Sequence, residues 1–261
     1  MLWQGCGCAV ENRFPEPVER ALFLLLLAPW EDWSEAEEVD WRGFRIPWVY
    51  SVSDDLCVSL KTPPSEDDLT LVPKTYTDFD GQPVDAEEPG RFSTSDAKAD
   101  LRDIATDAAW SDLDRALGSP LFAPPVRHFL VRAYHAQGID EFIAHLTVLE
   151  AALGLQSDYG KKPKGDPRAG RSVTRIMAER VATLLADDAS AAQYEELFDL
   201  RSAYVHGRLM KAISSIDRFQ ARRLARRVVV ALIEAALGIN DKVPFDREQY
   251  LVSLRASPMK T

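Results

Sequence analysis

From residue 97 to Gly238, apolar residues return every three or four positions, and the breaks between these stretches are short and polar. A chain patterned this way has few options. Each segment carries one apolar stripe that must be covered, and short connections make neighbours antiparallel, so the expected solution is a helical bundle. Ser93 and Asp96 cap the first segment, "AKADLRDIATDAAWSDLDRAL". "APPVRHFLVRAYHAQG" follows, with prolines before it and Gly138 at its end. Asp140 is the expected cap of "EFIAHLTVLEAALG", in which Phe142, Leu146, Leu149 and Leu153 share a face. "RSVTRIMAERVATLLAD" comes after a polar stretch over 156–170. Ser190 and Gln193 make a capping box before "YEELFDLRSAYVH", and Ser214 with Asp217 opens a last long helix to Gly238. Five or six helices are expected.

The first third reads differently. "ALFLLLLAPW", "GFRIPWVYSV", "DLCVSLKT" and "LTLVPKTYT" resemble short strands, and residues 80–90, "DGQPVDAEEPG", resemble a loop. The fold class is therefore α+β, mainly α: a strand-containing region over 1–95, a helical bundle over 96–240 and a tail over 241–261. The apolar run 21–28 is far short of the roughly 20 residues a membrane helix needs, and no basic start marks it as a secretory signal. Cys6, Cys8 and Cys57 are odd in number and lack the partners of a zinc site. Reduced thiols in a cytoplasm are the expectation, with no metal and no cofactor.

Charge is unevenly spread. Residues 1–120 hold 10 Lys and Arg against 25 Asp and Glu, whereas residues 121–261 hold 21 against 16. An anionic partner, if there is one, is expected at the second half; a solvated charged face is the plainer reading.

Three charges fall where a core is expected. Glu150 lies four residues after Leu146, Arg180 four after Ile176, and Arg201 four after Leu197 and four before Val205 on the apolar stripe of its helix. Burying an unpaired charge is costly, so these groups should find one another or a ligand. One carboxylate cannot neutralise two guanidiniums, and the surplus cation suits a phosphate. For Glu150 and Arg180 a structural ion pair is the plainer reading. Arg201 differs because His206 follows it, about 140° further round the helix and roughly 7.5 Å along it. His206 stands at the helix end, where the dipole favours a cation, and Gly207 lets the chain turn away and expose the ring. An imidazole can both accept and donate a proton near neutral pH.

"FDLRSAYVHG" resembles the R-x4-H-G signature of the HEPN superfamily, in particular its abortive-infection (ApeA-like) members. "LTVLEAALG" and "AERVATLL" are similar to two further helices of that family, in the same order, so the resemblance spans roughly residues 97–240. It implies a bundle that forms homodimers and a metal-independent endoribonuclease of phage defence or toxin–antitoxin control. Arg201 and His206 would be catalytic, with Glu150, Arg180, Ser202 and Tyr204 in support. Ser202 stands where Asn, Asp or His is frequent in the family. RNA is the implied partner, together with an antitoxin or defence-system protein, and no membrane. The rival is a non-catalytic module that dimerises and binds RNA, a nucleotide or a protein.

Lesser candidates surround this motif. Lys161, Lys162, Lys164, Arg168 and Arg171 lie in a segment that could follow an RNA backbone or be a solvated loop. Arg222, Arg223, Arg226 and Arg227 form either an RNA track or a polar helix face. Tyr159 could stack on a base. His128, His135 and His145 read as packing or surface residues.

Overall fold

The computed structural model describes residues 15–33, 71–89, 105–207, 213–239 and 244–255. Among them the chain is mainly helical, with one two-stranded antiparallel sheet. The segments "GFRIPWVYSV" and "DLCVSLKT", the three cysteines and the cap at Ser93 and Asp96 lie outside these residues. No helix among the described residues is long and apolar enough to cross a membrane.

The apolar run at 21–28, expected as a strand, is helical: α1 spans Glu16–Leu26 and a short turn of helix, α2, spans Trp30–Trp33. Pro17 in the first turn, Glu16 and Glu19 at the positive end of the dipole and a run of Leu without β-branching all favour helix over strand. Strand β1 (Leu71–Thr77) forms as expected. The expected loop at 80–90 instead supplies β2 (Pro83–Pro89), which pairs from Thr77 with Pro83 to Leu71 with Pro89. Both strands are edges, so their prolines are tolerated.

Helix α3 (Asp107–Leu117) is capped by Thr106 through the amide of Ala109; the part of the expected segment before residue 105 lies outside the described residues. Helix α4 spans Val126–His135 and α5 Gly138–Leu153. Gly138 therefore opens α5 rather than closing α4, and Asp140 lies in the first turn while Gln137 holds the cap position. Helix α6 (Val173–Leu185) is capped by Ser172. Helix α7 (Ala189–Val205) starts ahead of the expected box: Ser190 is buried and donates to Asp187 instead. Helix α8 (Ser215–Leu237) has the reciprocal Ser214–Asp217 box that its sequence predicts. The tail, silent in the sequence, contains α9 (Arg247–Ser253), with Leu251 fully buried.

Helix α5 is the centre of the bundle. It packs between α4 and α8, while α1 covers α4, α3 lies on α8, and α6 pairs with α7. Phe142, Leu146, Leu149 and Leu153 are wholly buried, as their spacing predicts. The arginines of α8 are neither an RNA track nor an ordinary polar face. Arg222 donates to Glu31 (3.2 Å) and Glu141 (2.7 Å), and Arg226 donates to Glu31 (2.7 Å) and Asp32 (3.0 Å), with Arg222, Arg226, Glu31 and Glu141 all buried. Arg223 and Arg227 meet Asp32 and Asp187 nearer to solvent.

Removing one member of a buried pair strands the other, at a cost of about 3–5 kcal/mol. Urea denaturation of Arg222→Ala is expected to fall in that range, whereas Arg223→Ala, at an exposed pair, should cost less than about 1 kcal/mol.

Candidate functional site

The C-terminal end of α5 organises the region. Four carbonyls there have lost their helical partners, and arginines take them. Arg247 donates to Ala151 (3.1 Å), Ala152 (3.0 Å) and Gly154 (3.3 Å), and Arg180 donates to Leu153 (2.8 Å). Cations at this end are also favoured by the dipole. Gly154 lets the chain leave tightly: a Cβ there would lie 2.4 Å from the Glu150 carbonyl oxygen.

The chain then makes a 3-10 turn over Gln156–Asp158 and presents Tyr159. Arg180 does not pair with Glu150. Its Nη1 and Nη2 grip Asp158 at 2.5 and 3.0 Å, and its Nε donates to the Leu251 carbonyl at 3.0 Å. Arg180 is 1% exposed and the Asp158 side chain 0%. The amide of Leu155 and the guanidinium of Arg168 complete the shell around Asp158. Burial pushes the Asp158 carboxyl up, but Arg180, by hydrogen bond and by charge, outweighs it and holds the group below its ordinary value.

Glu150 is thereby left to Arg201, whose Nη1 lies 2.6 Å from Glu150 Oε1. These are the two of the three inward charges that meet. Both are about one-quarter exposed. The Arg201 guanidinium lies over the Phe198 ring at 5.7 Å, and Phe198 stacks on the buried Tyr194 at 6.0 Å. Burial, then the Glu150 charge, pushes the Tyr194 phenol up. Among the described residues, Nη1 is the only Arg201 nitrogen with a carboxylate partner.

Beyond Arg201, helix α7 leaves the core. Ser202 is half-buried, while Tyr204, Val205 and His206 are exposed. Val205, expected on the apolar stripe, is 59% exposed. His206 is the C-cap, its amide donating to the Ser202 carbonyl, and Gly207 adopts φ +64°, the left-handed conformation that ends a helix. Among the described residues the His206 ring has no hydrogen-bond partner.

The basic segment divides. Arg168 chelates Asp166 (3.0 and 2.8 Å), holding that carboxyl down to about 2, and also reaches Ser157 and Asp158. Arg171 pairs with Glu179. Lys162 folds back onto the carbonyls of Asp158 and Gly160. Lys161 and Lys164 are exposed. The other histidines are packing residues: His128 lies against Glu19 (3.3 Å), His145 against the Glu141 carbonyl (2.9 Å) and His135 edge-on to Tyr134.

No family model matches the chain, and neither the curated proteins nor the solved structures contain a match. The residues that sequence reasoning missed are Asp158, Phe198, Tyr194 and Arg247. Only Asp158 left a trace, in its three-residue spacing from Leu155, whose amide it accepts.

Asp158 gives the site an acid limit. Its lowered carboxyl contributes stability that is fully present above the unfolded value of about 3.9 and is lost as pH falls through the lower folded value. Asp158→Asn is expected to cost about 3–5 kcal/mol at pH 7 by leaving Arg180 unpaired. In urea denaturation across pH, its difference from the parent should hold down to about pH 4 and shrink below that.

Proposed function

We propose that the chain is a metal-independent endoribonuclease of the HEPN kind, acting in phage defence or toxin–antitoxin control and cutting RNA through its own 2′-hydroxyl. The observation that carries the reading is the end of α7. There one guanidinium, about one-quarter exposed and paired with a carboxylate through a single nitrogen, is followed by an exposed imidazole at the helix cap. The Glu150 contact and the Phe198 ring orient Arg201, and its remaining N–H groups meet the non-bridging phosphate oxygens. His206 accepts the 2′-hydroxyl proton or protonates the leaving 5′-oxygen.

One imidazole cannot stand on both sides of a phosphorus atom, so the site is composite. A two-fold dimer brings a second His206 to the same phosphate. The exposed Tyr204 and Val205 at the end of α7, and Ile216 at the start of α8, supply apolar surface for that contact.

A non-catalytic module is the second reading. It is favoured by the engagement of Arg168 and Arg171 with carboxylates, which occupies two of the cations expected to hold an RNA backbone.

The deciding measurement is cleavage of an RNA in EDTA beside its 2′-deoxy analogue. The RNA should be cut to a 2′,3′-cyclic phosphate and a 5′-hydroxyl, and the analogue should survive. His206→Ala should lose about 10²- to 10⁴-fold in rate, and Arg201→Ala about 10²-fold or more. Arg201→Lys should recover part of the loss, since an ammonium cannot hold two oxygens in a plane. A His206→Ala protein as active as the parent would leave the binding module as the correct reading.

A further inference from the structure

The turn after α5 presents one aromatic ring to solvent and fixes its base with unusual thoroughness. Tyr159 is 66% exposed, yet it directly follows Asp158, whose side chain is wholly buried. Asp158 is held by Arg180 through two nitrogens, by Arg168 and by the Leu155 amide. On the far side, Lys162 straddles the turn, donating to the carbonyls of Asp158 and Gly160 on either side of Tyr159. An exposed tyrosine on an ordinary surface loop needs none of this. The arrangement is a rigid pedestal carrying a ring whose outer face is bare.

The pedestal also sets where the ring stands. Arg180 joins the Leu153 carbonyl to Asp158, so the turn folds back on the end of α5. Glu150, in the last turn of that helix, carries Arg201. The Tyr159 phenol registers the same neighbours: partial burial raises it first, Glu150 and Asp158 raise it further, and Arg201 lowers it.

We infer that Tyr159 is a nucleobase platform beside Arg201, stacking on a base of single-stranded RNA while Arg201 takes the adjoining phosphate. This inference rests on the ribonuclease reading and adds to it the residue that grips the base. A flat ring on a fixed base loses little entropy on binding, and every base offers it a π-face, so the grip tolerates sequence. It also suits a segment whose arginines are engaged, Arg168 by Asp158 and Asp166 and Arg171 by Glu179, so that stacking supplies affinity that those two cations do not.

The test is fluorescence anisotropy with a 2′-O-methyl oligonucleotide, which resists attack, and a set of the same oligonucleotides with one abasic position each. Tyr159→Ala should weaken binding of the complete oligonucleotide roughly 10-fold, and Tyr159→Phe should bind like the parent. At one abasic position the parent should show the same loss and Tyr159→Ala no further loss, because ring and base are then partners in one interaction. A purely structural role for Tyr159 would not move this coupling. Its melting temperature, expected to match the parent, reports folding separately. The inference is overturned if Tyr159→Ala binds as tightly as the parent, or if its loss adds in full to every abasic loss. If the parent cuts RNA and Tyr159→Ala behaves so, only the platform fails. If the parent neither binds nor cuts RNA, the ribonuclease reading fails and the platform falls with it.

Discussion

The guanidinium of Arg180 joins three segments that are distant in sequence: the end of α5, the turn at Asp158 and the C-terminal α9. Four short contacts satisfy it in a place where water cannot, and the single carboxylate of Asp158 cancels its charge. Only arginine has the planar fork to reach two carboxylate oxygens and two carbonyls together. The turn, the exposed Tyr159 and the seating of α9 all follow from this pair. So does the freedom of Glu150, since with Asp158 as the counter-ion of Arg180, Glu150 has only Arg201 to serve among the described residues.

Helical periodicity made most of the bundle legible. The core of α5, the Ser214–Asp217 box and the meeting of Glu150 with Arg201 were readable because each depends on residues three or four apart, or on a charge that an apolar stripe cannot leave alone. What failed depended on neighbours distant in sequence. The Leu-rich run at 21–28 is equally apolar as a buried strand and as a helix, and α4 supplies the surface that makes it α1. Residues 83–89 have little strand preference of their own and take the extended form by pairing with β1. Asp158 lies in a polar stretch, where an acid raises no question until Arg180 arrives from α6. Val205 misled for the opposite reason, since it keeps the apolar spacing of α7 beyond the point where the core ends.

The charge asymmetry also takes on another meaning. Carboxylates of the first half close on cations of the second: Glu16 and Glu19 on Arg127, Glu31 on Arg222 and Arg226, and Asp32 on Arg223. Four carboxylates of the acidic half are thus one side of an internal lattice that fastens α1 and α2 to the bundle. A basic stripe read along a sequence therefore says little about anionic partners until its counter-ions are known, and the buried arginines of α8 have theirs.

The same comparison separates the arginines by what remains available. Arg180 makes four hydrogen bonds at 1% exposure, so moving it would strand a buried carboxylate and two carbonyls. Arg222 and Arg226 are held nearly as firmly, each by two carboxylates. Arg201 makes one carboxylate contact at about one-quarter exposure, over an aromatic ring that restricts its plane without saturating its donors. Its desolvation is already partly complete, and among the described residues its other nitrogens have no carboxylate partner. Exchanging or sharing the Glu150 contact costs little where water can still reach both partners. Position on an apolar stripe drew attention equally to Arg180 and Arg201. The number of buried partners is what assigns the first to holding the fold and leaves the second with capacity to bind.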